Sequence, residues 1–212
     1  MKSRSLRSTL IVGLCIIISS IAIAQIHDND PVTLLQSIAD KMLTQLKVNK
    51  ATLKTNPRIV YSLARTIIVP YANLAEMSKR VLPPQTWNQA TPAQRARFQQ
   101  EFTTTLIRTY ASALASYKDQ EVKFYPVRGG YAGKSTVQVN SEITSTNGPA
   151  ISVTYRLVNN NGHWRLYDMS VEGVSMLESF RSQFSDILAQ GDMNLLLQRL
   201  AAHNKGKGKG KG

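Results

Sequence analysis

Asp168 and Glu172, with the phenol of Tyr167 beside them, are the side chains whose types and spacing come nearest to chemistry. On a half-open α+β cone, a carboxylate in that position would serve as general base for an isomerisation or a dehydration. The same two acids have a structural use: at a corner where a strand turns into a helix, carboxylates accept from backbone amides or pair with an arginine. That second use is preferred, and an enzyme with Asp168 as its base stands as the alternative. His27, His163 and His203 are scattered through the chain, without the spacing of a metal site or of a Ser-His-Asp arrangement. Gly129, Gly130 and Gly133 follow no phosphate-loop pattern and read as turn residues. No catalytic residue, metal or cofactor is expected.

The elements that must position these residues begin after an export signal. Lys2, Arg4 and Arg7 form a basic start, Leu10 to Ile18 an apolar run, and Ala22-Ile23-Ala24 a cleavage site of A-x-A type, so residues 1–24 read as a secretory signal. The apolar run is shorter than the roughly 20 residues of a spanning helix. Cys15 follows Leu14, where a lipoprotein signal would carry a small residue, and it is the one cysteine in the sequence. After cleavage there is no disulfide, thiolate metal site or cysteine nucleophile, and the fold must stand on its core.

About 188 residues then remain, enough for one well-buried domain over 25–204. Removing the three signal cations from the formal charge of +13 leaves +10, and Lys205, Lys207, Lys209 and Lys211 supply four of those. Residues 205–212 alternate lysine with glycine, read as disordered, and suit attraction to anionic lipid or simple solubility. Nucleic acid is not an expected partner, because the chain is exported and has no basic-aromatic module.

Asp30-Pro31 opens a helix whose apolar face is Leu35, Ile38, Met42 and Leu46, ending near Val48. Asn56-Pro57 starts a second that Val69-Pro70 stops, and a short helix spans Leu74 to Leu82. Thr91-Pro92-Ala93-Gln94 is a capping box, the start of a helix to about Tyr117 with Phe98, Phe102, Leu106, Tyr110 and Leu114 in one stripe. From Glu121 the period changes from four to two: Val122 and Phe124, then Val137 to Ile143, then Ile151 to Leu157, then His163 to Val171. Asn147-Gly148 and Asn161-Gly162 are hairpin turns, giving a meander of four antiparallel strands. Helix returns with Phe180, Phe184, Ile187 and Leu188, breaks at Gly191, and ends in a turn through Leu195, Leu196 and Leu200. Helices, sheet, then helices make an α+β domain.

The segment from Trp164 through Tyr167-Asp168-Met169-Ser170-Val171-Glu172-Gly173-Val174-Ser175 to Met176 resembles the periplasmic phospholipid carriers of the Mla pathway, the MlaC or toluene-tolerance auxiliary family. Val69-Pro70-Tyr71, Ala90-Thr91-Pro92-Ala93-Gln94-Arg95 with Phe98 and Phe102, Tyr110-Ala111, Arg181 and Phe184 extend the resemblance over about 30–200. One departure is Leu82-Pro83-Pro84-Gln85-Thr86-Trp87, where relatives place a glycine after the leucine and one residue fewer before the aromatic.

The resemblance implies a cone like that of nuclear transport factor 2, with helices on a strongly bent four-stranded antiparallel sheet around a deep apolar cavity. It implies a monomeric periplasmic carrier, not an enzyme, that keeps the outer membrane asymmetric. Its cargo would be a diacyl phospholipid, passed between an outer-membrane lipoprotein-porin complex and an inner-membrane ABC transporter with a substrate-binding ring. The lining expected for the acyl chains is Tyr71, Leu74, Phe102, Leu106, Tyr110, Val153, Tyr155, Leu157, Tyr167, Met169, Val174, Met176 and Phe180, with Arg95 and Arg156 as headgroup contacts. A protein that only bridges envelope complexes, with a solid interior, is a further reading.

Overall fold

A computed structural model describes residues 26–56, 58–116, 120–145 and 148–206. The signal at 1–24, most of the Lys-Gly tail, Pro57, Tyr117 and Asn147 lie outside the described residues. Among the described residues, eight helices and five strands follow in chain order: α1 (Pro31–Val48), α2 (Lys50–Thr55), α3 (Ile59–Ile67), a 3-10 turn (Val69–Tyr71), α4 (Leu74–Val81), α5 (Pro84–Gln89) and α6 (Pro92–Ala115) precede the sheet. The strands are β1 (Glu121–Phe124), β2 (Thr136–Ser145), β3 (Gly148–Asn160), β4 (His163–Val171) and β5 (Val174–Ser175), and α7 (Met176–Leu188) and α8 (Met193–Gly206) close the chain.

The helix starts follow from their caps. Asp30 accepts from the Thr33 amide at 2.7 Å ahead of Pro31. At α6 the Thr91 hydroxyl accepts from the Gln94 amide while the Gln94 side chain accepts from the Thr91 amide, so two amides at the helix start are satisfied reciprocally. Helix α5 occupies the segment that departs from the family pattern. Pro84 in its first turn fits a helix start, where the missing N–H is no loss.

The expected four-stranded, strongly bent cone is not what forms. The sheet has five antiparallel strands in the order β1-β2-β3-β4-β5; β1 and β5 are its two edges, and it is neither closed nor strongly curled. The extra strand arises at Glu172-Gly173. Both residues have positive φ, 49° and 80°, which is the geometry of a tight hairpin turn. The turn folds Val174 and Ser175 back onto Val171 and Ser170. Two residues are too few for an alternating pattern to be read from sequence.

The deep cavity on that cone is corrected with it, because the interior is filled by two apolar clusters. One joins α4, α6, α7 and α8: Phe98, Phe102, Phe180 and Phe184 pack together with Met77, Val81, Leu196 and Leu197. The other joins α1, α3, the far side of α6 and the sheet around Leu34, Leu46, Val60, Val139, Leu157 and Trp164. Strand β4 contributes to both, with Trp164 and Leu166 in the second and Tyr167 and Met169 against the first. Arg156 pairs with Asp168 and Leu157 with Leu166, so Tyr167 is an extra residue at a bulge.

Candidate functional site

The acids that opened the sequence reading are committed to structure. Asp168 is buried, 4 % exposed. One of its oxygens, Oδ2, accepts from Arg156 at 2.5 Å and from the Ser175 hydroxyl at 2.8 Å; the other accepts from the Leu177 amide at 3.1 Å. Four elements meet there, since Arg156 lies on β3, Asp168 on β4, Ser175 on β5 and Leu177 in the first turn of α7. A carboxylate beside the start of a helix also meets the positive end of its dipole. Glu172 is exposed and accepts from the Ser152 amide, which ties the β4–β5 turn to β3. Among the described residues no group of His, Cys, Asp and Glu is arranged to hold a metal ion.

The thirteen predicted lining residues are partly brought together. Phe102, Leu106, Met176 and Phe180 are buried in the first cluster, and Leu74, Tyr110, Tyr167 and Met169 pack against it half-buried. Tyr71, Tyr155 and Leu157 belong to the second cluster instead. Val153 is buried, whereas Val174 is 65 % exposed on β5. The half-buried members form a seam where α4, α6 and β4 approach α7. Burial, and then the charge of Asp168, raise the Tyr110 phenol above its ordinary pKa, so Tyr110 is neutral on the α6 side of the seam.

The two proposed headgroup arginines are otherwise engaged. Arg95 donates to the carbonyls of Trp87 and Asn88 at 3.0 and 3.1 Å and stacks on the Trp87 ring, so it caps α5. Arg156 is taken by Asp168 and Ser170. Sequence reasoning passed over Arg80, whose guanidinium lies 4.5 Å from the Tyr167 ring centroid and pairs with Glu76 at 2.6 Å. Its one sequence signal was the Glu76–Arg80 spacing, which reads as an ordinary helical ion pair. Arg181 donates to the Arg80 carbonyl and links α7 to α4 at the same edge.

Two hollows lie away from this seam. One of about 480 Å³ is bordered by Ile26 to Asn29, Tyr71 and His163; the other, of about 310 Å³, lies between α5 and the start of α8. The first is shaped by the segment ahead of α1, which is strapped to β4. The Asp28 carbonyl accepts from the Trp164 amide at 2.7 Å, and its carboxylate holds His163 at 2.7 Å and Arg165 at 2.6 Å.

Hydrogen bonding to His163 is the largest cause that lowers the Asp28 pKa below 3.8, and Arg165 adds to it. A carboxylate with a lowered folded pKa contributes stability that is complete above its unfolded pKa and is lost as pH falls through the folded value. Wild-type protein is therefore expected to lose more stability than Asp28→Asn between neutral pH and about pH 3. Denaturant unfolding at both pH values checks this; equal losses in the two proteins would remove Asp28 from the acid response.

Comparison with known proteins places this geometry. The Toluene tolerance protein ttg2D of Pseudomonas putida is 28% identical over 183 residues, covering 86% of this chain and 84% of that protein. The Intermembrane phospholipid transport system binding protein MlaC of Haemophilus influenzae is 28% identical over 179 residues, 82% of each chain. A phospholipid-binding protein from Ralstonia solanacearum, solved in complex with a phospholipid, superimposes with a TM-score of 0.77 at 30% identity, covering 85% of this chain and 99% of that one. With the family model for the MlaC protein matching residues 36–202, the chain belongs to the MlaC family.

Proposed function

We infer that this chain is a periplasmic phospholipid carrier and not an enzyme. The observation that carries the reading is the likeness to the Ralstonia solanacearum protein, solved with a phospholipid bound, over nearly the whole of that protein's length. The acids that would have supported catalysis are bound to backbone and arginine at a corner of the fold, which removes the support for the isomerase or dehydratase alternative. The cargo is a phospholipid, and no cofactor takes part.

The physical demand on a carrier is large. A diacyl lipid exposes roughly thirty methylenes, which at ~0.8 kcal/mol each cost on the order of 20 kcal/mol or more in water. Both tails must be hidden at every stage, and a bilayer hides them equally well. Transfer therefore proceeds by contact, from one hydrophobic site to the next, because release into water is far slower. The finer partner assignment, an outer-membrane lipoprotein-porin complex on one side and an inner-membrane ABC transporter with its ring on the other, belongs to this reading.

The first cluster is the proposed seat of the acyl chains, entered along the seam of Leu74, Tyr110, Tyr167 and Met169. Rings and a methionine at a seam can separate at less cost than a fully interlocked core, because part of their surface is already wet. Val174, exposed on β5 next to β4, is the residue proposed for its mouth, and Arg80 over Tyr167 the cation proposed for a headgroup. The domain division is proposed with it: a cleaved signal at 1–24, a carrier domain at 25–204 and a Lys-Gly tail.

Native mass spectrometry of gently purified mature protein is expected to show one protein with phospholipid bound. Val174→Glu, which sets a charge at the mouth, is expected to reduce occupancy at least about tenfold with the fold intact. A wild-type protein that neither retains phospholipid nor takes it up from vesicles would overturn the carrier reading. Unchanged occupancy in Val174→Glu would displace only the mouth.

A further inference from the structure

Seven cations and one acid lie on α3 with its cap residue, α6 and α8: Arg58, Arg65, Arg95, Arg97, Arg108, Arg199 and Lys205 against Glu101. Packing gathers several of them at one end. Arg65 donates to the Thr104 hydroxyl at 2.9 Å and Arg108 lies over the Tyr61 ring at 5.6 Å, so α3 runs antiparallel to α6. Helix α8 runs parallel to α6, because Gln94 meets Asn194 at 3.0 Å and Thr105 meets Asn204 at 3.1 Å. Lys205, next to Asn204, therefore stands level with the turns of α6 that carry Thr104 and Arg108. The one acid is occupied, since Glu101 accepts from the Asn204 amide at 2.7 Å. The Nη1 of Arg108 is buried without a hydrogen-bond partner.

The same end of the molecule carries exposed apolar groups. Phe102 packs on Phe180 and Phe98 on Phe184, so α7 is antiparallel to α6 and its start lies by the C-terminal half of α6. Just ahead of that start are Val174, 65 % exposed, its register partner Val171, 37 % exposed, and Ile151, 40 % exposed on the neighbouring strand. Cations and an apolar strip thus lie toward the same end of α6, with the exposed acids Glu172 and Glu178 beside the strip, and Lys207, Lys209 and Lys211 follow in sequence directly after α8.

We propose that this end docks onto an anionic phospholipid surface, with Arg65 and Lys205 taking headgroup phosphates and Ile151, Val171 and Val174 meeting the acyl boundary. The proposal rests on the lipid-carrier reading and adds to it where and by what charge the carrier meets a membrane. An acidic protein surface would match the cations but leave the three apolar side chains in water. A bilayer interface offers phosphate and hydrocarbon together, and it accepts lysines that alternate with glycine because it requires charge without shape.

Vesicle flotation of the mature chain tests this with phosphatidylcholine alone and with phosphatidylglycerol added. Binding is expected only with phosphatidylglycerol, weakening with salt, and a loss of about tenfold or more is expected in the double variant Arg65→Gln, Lys205→Gln. Lipid occupancy of that variant in native mass spectra is expected to match wild type, since neither residue touches the seam. Equal binding to both vesicles, no binding to either, or an unaffected double variant would overturn the docking face. Retention on polyglutamate without vesicle binding would also overturn it, in favour of an acidic protein. Wild-type protein that floats but carries no lipid would support the docking face while refuting the carrier reading.

Discussion

Truncating Phe102 to alanine is expected to lower the stability of the lipid-free domain by about 4 kcal/mol. The ring is 1 % exposed and is held on three sides by other rings: Phe98 stacks on it at 5.5 Å, and Phe180 and Phe184 meet it edge-on, each at 5.5 Å. Removing it takes away a large buried area and leaves a cavity that three rigid neighbours cannot close, so the transfer loss and the cavity loss add. For a domain of this size that corresponds to a fall in melting temperature of roughly 10 °C. The loss is expected to be smaller in lipid-loaded protein, because acyl methylenes seated in the same cluster would occupy the vacated space. Calorimetry of stripped and loaded protein measures both. A loss under about 1 kcal/mol in the stripped protein would mean that the four rings do not form a packed core.

The second large effect is expected at the β4–α7 corner. Asp168→Ala should destabilise by about 3 kcal/mol, because it strands a half-buried arginine and leaves the Leu177 amide without its acceptor. Arg156 would retain only the Ser170 hydroxyl at 3.1 Å. Asp168→Asn should cost less, since an amide oxygen can still accept from Leu177 or Ser175, but it forfeits the ion pair. A double-mutant cycle with Arg156→Ala separates pair from surroundings: a structural ion pair gives a coupling of about 1 kcal/mol or more, and additive losses would show that the two residues act independently. Lipid occupancy should follow the fraction folded in every variant. A folded Asp168→Asn protein that had lost all lipid would contradict the structural role.

Local chemistry made much of this fold legible. The Asp30-Pro31 and Thr91-Pro92 starts were readable because capping is decided within four residues, and both caps form. Strand β4 spans the His163 to Val171 read from the alternation, which is broken at the Tyr167 bulge. The break at Gly191 was readable too, but the last helix was not: α8 runs from Met193 to Gly206, where only a turn was expected. Its length depends on packing along α6, through Asn194 and Asn204, which lie about 100 residues from their partners. Helices α2 and α5, six residues each, carry too few apolar positions to show a period.

The candidate site was legible only in part, for a related reason. Phe102, Phe180 and Tyr110 stand at helical spacing, and spacing says that a face is buried but not which of two cores receives it. Tyr155 and Leu157 therefore went to the second cluster, while Tyr167 and Met169 went to the first. Val174 belongs to a strand whose two residues form no period, and its exposure follows from the positive-φ turn at Glu172-Gly173. Arg80 was invisible because its partner Tyr167 is far away in sequence, and a cation over a ring requires only that the two meet in space.

By itself, then, the sequence determined the family, the lack of cysteine beyond Cys15 and the kind of element in most segments. These depend on composition and on contacts within a few residues. Tertiary structure decided that the acids beside Tyr167 serve architecture, that the sheet is an open one of five strands, and that Ile151, Val171 and Val174 are exposed. Each depends on which distant segments come to lie side by side, and neither periodicity nor charge along a chain carries that information.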